Sequence, residues 1–504
     1  MDKKILYILS IVMAFGLMSC DKYLDTTPDN RTVLDSDEKV KELLASAYPE
    51  TTYGLFCYSM SDNISDMGDG NEMFRNNEQG YFWEEFTDTD QDSPTMYWES
   101  AYKAIAHANQ ALDFIESKKN GEEIPAEYLP YYGEALLVRA YNHFMLVNLW
   151  GKHYDPATAA TDLGIPYVTE MEDVVFKDYK RETVAKVYEL IENDLKEGIQ
   201  FIQDNAYDVP KYHFNIAAAN AFASRFYMFK GEFGKVADYA TTALGGNASA
   251  KLRDLTGKYN LMDLNERAAE YSKATEPANL MLTSNITYNF NFFQGLLRYR
   301  LTYDLYKSVF DKIFVKESSN HTWAQSLVTV SGDGHVIWKW GYFFKKMDVN
   351  ADIGLYYGMT PKIVAEEALF NRIEANVMLE HYTEVEQDLN LYFENRLVPF
   401  TDENKVTEAK IMEHFNNDSK ADSPLNPWYE LDEKQRAYLN CVIHTRRREF
   451  VYTGLRWFDI RRFNIKVIHE VEDGEKVVLE TDDARKVLQI PTMAQQYGLE
   501  ANNR

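Results

Sequence analysis

The sequence predicts a mainly α-helical protein, and three observations carry that reading. Several long stretches place apolar residues at the three- and four-residue spacing of a helix face. One of them alternates small and aromatic residues across a glycine, as closely packed helix pairs do. A single strong β-hairpin signal, Asp473-Gly474 flanked by apolar alternation from Lys466 to Glu480, stands near the C-terminus.

Taken in order, Trp98, Tyr102, Ile105, Asn109 and Leu112 define an amphipathic helix with one polar residue on its apolar side, and Asn109 is expected to satisfy a neighbouring backbone group. Ala135 to Leu149 is hydrophobic almost all round, the mark of a helix packed on both sides, with Arg139 inside it as a paired core residue. Gly151 ends that helix, and Gly164-Ile165-Pro166 opens an extended connection. Arg181 to Ile202 reads as another amphipathic helix through Val184, Val187, Ile191, Leu195, Ile199 and Ile202. Between Asn215 and Leu244, Gly231 separates two helices whose Ala221, Phe226, Phe233, Ala237, Ala240 and Ala243 sit where tetratricopeptide-like hairpins need small residues. A looser copy runs from Ala375 to Tyr392, too far along the chain for a tandem repeat of ~34 residues, so the array is interrupted. The interruption, about residues 255 to 360, is aromatic and Gly-punctuated, with strand-like stretches at Leu327 to Val330 and Val336 to Trp340.

Composition narrows the function. The 504 residues are 45% apolar, which excludes disorder and a fibrous fold. The 53 Lys+Arg against 79 Asp+Glu leave a net charge of -26, a field that repels phosphate backbones and argues against a nucleic-acid partner. With 35 Tyr, 28 Phe and 8 Trp, rings are numerous enough to serve a surface as well as a core. Met1-Asp2-Lys3-Lys4, the 14-residue run Ile5 to Met18 and Ser19-Cys20 read as a signal peptide over residues 1–19, too short for a span of about 20 residues. Leu17-Met18-Ser19-Cys20 resembles a bacterial lipobox, in which cleavage before Cys20 accompanies its acylation. An ordinary signal peptide with an incidental cysteine is the alternative. Two acyl chains anchor stably where one is marginal. Cys57 and Cys441, too few for a disulfide framework, are expected to be buried singletons.

Arg446 opens the run RRREFVYTGLRWFDIRRF, and Ile490-Pro491 follows 27 residues beyond its end. This closely resembles the C-terminal signature of the SusD/RagB family. Cys20 with Tyr23-Leu24-Asp25 and Pro28, the Trp98 helix, GEALLVRAYNHFMLVNLWG from Gly133 to Gly151, and Gly164-Ile165-Pro166-Tyr167-Val168 resemble further family blocks in the same order. The resemblance implies one body over residues 20–504, in which tetratricopeptide-like helical pairs form a right-handed scaffold carrying a loop-rich ligand face. It also implies a lipid-anchored lipoprotein at the cell surface, in the outer membrane of Bacteroidetes-type bacteria. Such a protein captures oligosaccharides and passes them to a SusC-type TonB-dependent transporter without catalysis or cofactor. A RagB-like peptide receptor is the alternative, and a surface glycoside hydrolase a further one, since a hydrolase of that kind needs only two carboxylates.

The signature itself reads as structural: Glu449, Arg456, Asp459, Arg461 and Arg462 beside Phe450, Trp457, Phe458 and Phe463 suit the joining of two helices across Gly454. No Walker loop, GxSxG, HExxH or CxxC occurs. Asp88, Asp90, Asp92 and Glu99 have the 1, 3, 5 and 12 spacing of a calcium loop, but the sixth position is Ser93 where that loop needs glycine. Ser93-Pro94 reads equally as the N-cap and first residue of the Trp98 helix. For ligands, the polar loop Ser61 to Trp83 supplies Asp66, Asp69, Asn71, Arg75 and Trp83, and the central region supplies Tyr288, Trp323, Trp338, Trp340 and Tyr342. Flat rings suit the C–H faces of sugars and short polar groups suit their hydroxyls. The site expected from these is Trp83, Trp323, Asn71, Arg75, Asp69 and Tyr288, with Trp338 and Trp340 sharing one face of a strand-like stretch.

Overall fold

A computed structural model describes residues 34–68, 74–171, 179–290, 295–311, 322–323, 328–331, 334–348, 353–415, 424–472 and 474–504. Cys20 and the whole N-terminal signal therefore lie outside the described residues. The chain divides into two units, Met1–Val40 and Lys41–Arg504, and everything that follows concerns the second.

Nine helices of that unit carry the scaffold. The first, α1 (Pro94–Ser117), starts at Ser93, whose hydroxyl accepts from the Met96 N–H at 3.1 Å, with Pro94 in the first turn. The capping reading of Ser93-Pro94 thus holds. It packs on α2 (Leu129–Trp150), the all-round apolar helix, and α2 packs in turn on α3 (Val184–Gly198). The backbones of α2 and α3 touch through two glycines: a Cβ on Gly133 would stand 2.7 Å from the Gly198 carbonyl, and one on Gly198 would stand 2.8 Å from that of Gly133. Helix α3 lies within the expected span Arg181 to Ile202 and begins at its first apolar position, Val184, because Thr183 caps the Lys186 N–H. Arg139 of α2 forms a bidentate pair with Asp194 of α3 at 2.7 and 2.8 Å. Asn109 donates to the carbonyls of Val168 and Glu170, so both polar residues on apolar faces do what their burial requires.

The tetratricopeptide-like hairpin is α4 (Ile216–Lys230) and α5 (Phe233–Leu244), joined at Gly231 in the left-handed conformation. The looser copy is α6 (Ala365–Met378) and α7 (Tyr382–Glu394). Helix α6 packs against both α4 and α5, so the two copies are neighbours in space despite their distance in sequence. The interruption is closed at its base by an antiparallel ladder. Strand β2 (Asn279–Ile286) pairs with β8 (Ile353–Val364) from Asn279↔Val364 to Ile286↔Tyr357, and β8 runs directly into α6. Strand β7 (Phe343–Asp348) adds to the other side of β8, giving the order β2-β8-β7. The first strand-like stretch of the central region is met by β5 (Val328–Ser331), which pairs with β6 (Gly334–Ile337); the second, Val336 to Trp340, is strand only as far as Ile337, so Trp338 and Trp340 share no strand face. The C-terminal hairpin is β10 (Val467–Glu470) with β11 (Lys476–Leu479). Mainly helical architecture with a few small sheets is thus the observed fold class.

The C-terminal signature forms α8 (Glu433–Glu449) and α9 (Leu455–Arg462), with Gly454 between them at φ +81°. A Cβ there would meet Cys57, Tyr53 and Gly54 at 3.0 to 3.2 Å, so glycine is demanded by backbone conformation and by close approach together. Three of its arginines are buried and meet acids: Arg446 with Asp459, Arg456 with Asp62 at 2.7 and 2.8 Å, and Arg462 with Glu374 and Asp459, while Arg461 donates to the Gly151 carbonyl. Cys57 and Cys441 are free and buried.

Glu449 sits between Arg396, the Tyr392 hydroxyl and the Lys339 ammonium group, whose hydrogen bond goes to the Glu449 carbonyl. Burial alone would raise its carboxyl, but Arg396 above all, with Lys339 and Tyr392, holds it at about 2. A folded-state value below the ordinary 4.5 means that this stabilisation is complete above pH 4.5 and drains away as pH falls toward 2. Thermal melts should therefore drop across that window. Glu449→Ala, which leaves Arg396 no acid but Glu366, at the longer distance of 3.3 Å, should cost about 3–5 kcal/mol at neutral pH and flatten this part of the acid dependence.

Candidate functional site

The polar loop and the central region, more than 200 positions apart, are brought together by backbone pairing and one ion pair. Strand β1 (Ser65–Asp66) pairs with β3 (Tyr299–Arg300), and the Arg298 guanidinium grips Asp66 through two bonds of 2.8 and 3.0 Å. Asn77 extends the pairing, since its side-chain amide donates to the Tyr299 carbonyl and accepts from the Tyr299 N–H. Burial tends to raise the Asp66 carboxyl, but the Arg298 hydrogen bonds and charge bring it below the usual range, so the pair stays ionised.

The core that holds Tyr299 continues into a cluster of rings. Phe74, just before the helix Arg75–Tyr81, meets Tyr288 edge-on at 6.1 Å. Tyr288 touches Phe290 and Tyr356, Phe290 stacks on Tyr342 at 4.2 Å, and Phe344 lies 5.0 Å from Tyr356. Phe343 stacks on Tyr357 across the β7–β8 pairing. Phe290 is buried, whereas Tyr342 and Phe344, which both meet Tyr356, are 49% and 40% exposed, so the cluster carries two open rings; Phe343, 48% exposed, alternates to the other face of the strand with Tyr357. Tyr288 is fixed from beneath by Asp92, whose carboxylate accepts from the Tyr288 N–H at 2.6 Å and the Thr287 hydroxyl at 2.5 Å. Burial pushes the Asp92 carboxyl up to about 7 against the pull of these bonds and of Lys362. Both Asp92 oxygens are thus engaged inward, which does not suit the calcium-loop reading. Among the described residues no group of three or more His, Cys, Asp or Glu is placed to hold a metal ion.

The six residues expected at the site fare differently. Tyr288 is half-buried within the ring cluster, and Arg75 is exposed at the start of its helix. Asp69 and Asn71 lie outside the described residues, as does the side chain of Trp323, whose backbone pairs with Leu397 in the β4 (Thr322–Trp323) and β9 (Leu397–Val398) ladder. Trp83 needs correction: it is 2% exposed, and its indole N–H donates to the Met60 carbonyl at 2.9 Å. Its ring begins a stacked column that continues through His469, Tyr81 and Tyr299. Polar neighbours in sequence suggested an open ring, but the chain turns at Trp83 with φ +52° and carries the indole inward. Trp340 is buried and Trp338 half-buried. The exposed pair Phe343-Phe344 and the facing Tyr356-Tyr357 were missed, although each doublet lies in a stretch with enough β-formers to have been read as a strand.

Comparison with known proteins agrees with this fold. Residues 22–228 match a SusD-like family model described as "Starch-binding associating with outer membrane". SusD-like protein P2 of Formosa agariphila is 24% identical over 261 residues, which are 50% of this chain and 46% of that protein, so the match spans about half of the relative's length. A SusD superfamily protein from Bacteroides thetaiotaomicron has 18% identity and a TM-score of 0.62, over 93% of this chain and 99% of that one. A SusD-like carbohydrate binding protein from Bacteroides vulgatus has 14% identity and a TM-score of 0.60, over 92% and 97%. The SusD-like resemblance read from the sequence is therefore met by a family model, a curated relative and solved folds. Among the described residues no helix is long and apolar enough to cross a membrane.

Two substitutions separate core from surface. Trp83→Ala should destabilise the protein by about 3–5 kcal/mol, seen as an early thermal melt. Tyr342→Ala should leave the melt within about 0.5 kcal/mol of wild type, since a half-exposed ring contributes little to the core.

Proposed function

We propose that this chain, SusD-like by family match and by fold, captures oligosaccharides at the cell surface and delivers them to a SusC-type TonB-dependent transporter, with no chemistry of its own. The observation that carries the reading is the pair of open rings, Tyr342 and Phe344, set against Tyr356 and the buried Phe290. Rings held rigid before binding lose little entropy on meeting a sugar face, and a half-exposed ring cluster on a mainly helical scaffold has no structural need to be there. The starch- and carbohydrate-binding descriptions of the family model and of the Bacteroides vulgatus protein favour a glycan over a peptide. Tyr288, Arg75, Trp323, Asp69 and Asn71 are assigned to the same face, the last three by their position in the sequence.

Each stacked ring contributes on the order of 1 kcal/mol, so two or three with a few hydrogen bonds give roughly micromolar to millimolar affinity. Binding of that strength permits release to a transporter. Anchoring through an acylated Cys20 keeps the protein at the outer membrane, where the partner barrel would lie.

A glycan array run beside a peptide pool should find carbohydrate ligands for the soluble body, and Tyr342→Ala should weaken the best of them about tenfold with an unchanged melt. Binding confined to peptides would overturn the ligand class. Cys20→Ala should move the protein out of the membrane fraction, and affinity capture from solubilised outer membranes should recover one large β-barrel partner.

A further inference from the structure

Asp92 is 1% exposed, and among the described residues no cation touches its carboxyl. It lies in the turn just before α1, with its backbone in the left-handed conformation at φ +62°, which aspartate tolerates but seldom adopts. Oδ1 accepts from the Thr287 hydroxyl at 2.5 Å and Oδ2 from the Tyr288 N–H at 2.6 Å. The Thr287 oxygen accepts in turn from the Asn289 N–H at 2.9 Å, so one carboxyl fixes the chain from Thr287 to Asn289. Tyr288, at the centre of that stretch, meets Phe74 of the polar loop, Phe290 and Tyr356, and Tyr356 meets the two open rings, Tyr342 and Phe344.

An ionised carboxylate in so dry a place is costly, and no charge in contact offsets it. The titratable groups that act on Asp92 are the Tyr288 phenol and Lys362 of β8. Lys362 Nζ is itself buried without a hydrogen-bond partner, 5.5 Å over the Tyr53 ring. The next charge beyond it is Arg225 of α4, whose guanidinium is already taken by Glu367. Burial brings the Lys362 ammonium group down to about 7 against the pull of Asp92. This counter-charge therefore fades at the pH where Asp92, itself raised to about 7 by burial, becomes fully ionised. A neutral carboxyl needs no counter-charge: its carbonyl oxygen still accepts from the Tyr288 N–H, and its O–H meets the Thr287 oxygen.

We propose, resting on the reading of the aromatic face as a glycan site, that Asp92 is a positioning residue of that face, and that its ionisation loosens Tyr288 and weakens glycan binding as pH rises toward neutrality. The sign follows from linkage. A carboxyl that ordinarily titrates near 3.8, and is raised to about 7 when buried, favours the held arrangement fully below 3.8; that preference is lost as pH rises to about 7 and is constant beyond. Lys362 acts on the other side, between about 7 and its ordinary 10.5, where stability returns as pH rises.

Two pH series on the soluble body, from about pH 4.5 to about pH 7.5, test this: hydrogen exchange at the Tyr288 amide, corrected for its intrinsic rate, and calorimetric titration with malto-, cello-, xylo-, manno- and galacto-oligosaccharides in turn. In the wild type, protection of the Tyr288 amide and affinity for whichever oligosaccharide binds should fall together, by about tenfold across the series. Asp92→Asn keeps an acceptor for Tyr288 and a donor for Thr287 but carries no charge, so both profiles should flatten. Lys362→Met removes the cation that opposes burial, so both profiles should move to higher pH, and this variant decides the matter if Asp92→Asn does not fold. A Tyr288 profile that is flat in the wild type, or that neither variant alters, would overturn the proposal. Oligosaccharide affinity that stays constant while protection falls would overturn it too, leaving Asp92 a structural residue and the glycan reading intact. Failure of every oligosaccharide to bind at any pH would overturn the glycan reading and this proposal with it.

Discussion

Three glutamates on one buried helix hold together elements that the sequence keeps far apart. Glu366 and Glu367, in the first turn of α6, and Glu374, two turns on, are almost wholly inaccessible. Glu366 is met by Arg253 from the start of the interruption and by Arg396 from beyond α7. Glu367 is gripped by Arg225 of α4 through bonds of 2.6 and 2.5 Å, and Glu374 by Arg462 of α9. Charges this deep cannot tolerate a lost partner, because an unpaired buried ion costs several kcal/mol while a satisfied pair is close to neutral in stability. Their effect is thus one of arrangement: only the packing that seats every arginine on its acid is low in energy. The α4 helix, the segments at Arg253 and Arg396 and the C-terminal signature are all indexed to α6 in this way.

The aromatic face inherits that rigidity. Strand β8 carries Tyr356 and Tyr357 and continues without a break into α6, so its register follows from the helix that the ion pairs fix. From the other side, β1 and the Phe74 segment are brought in by Asp66 and Arg298, and Asp62 of the same loop is held by Arg456 of the signature. The signature therefore acts on the rings through the scaffold that positions them. A motif can accompany many ligands if it sets the scaffold and leaves the contacting residues to vary.

Much of the scaffold was legible in the sequence because helix faces and caps are local. Ser93, Gly151 and Gly231 mark their boundaries by side-chain or backbone chemistry within a turn or two, and Asn109 and Arg139 stand out as polar residues on apolar stripes. The α6 glutamates were not legible: Glu366 and Glu367 in a first turn look like ordinary partners for a helix dipole, and only their distant arginines make them a core. Trp83 failed for the opposite reason, since polar sequence neighbours describe a loop's surface but not the direction of one ring within it. The strands β7 and β8 lie in a region of short, mixed pattern, where the facing doublets Phe343-Phe344 and Tyr356-Tyr357 gain meaning only from their cross-strand pairing.

The ladder at the base of the interruption has a further consequence. Asn279↔Val364 and the pairs above it set the separation of the two ends of the intervening chain, whatever lies between them. Once a ladder has closed the ends, lengthening the enclosed segment is cheap, about 0.6 kcal/mol for each doubling of a flexible loop. The interruption is in this sense a socket for exchangeable parts: its contents can be lengthened, trimmed or replaced while the helices on either side register only a pair of strands entering and leaving.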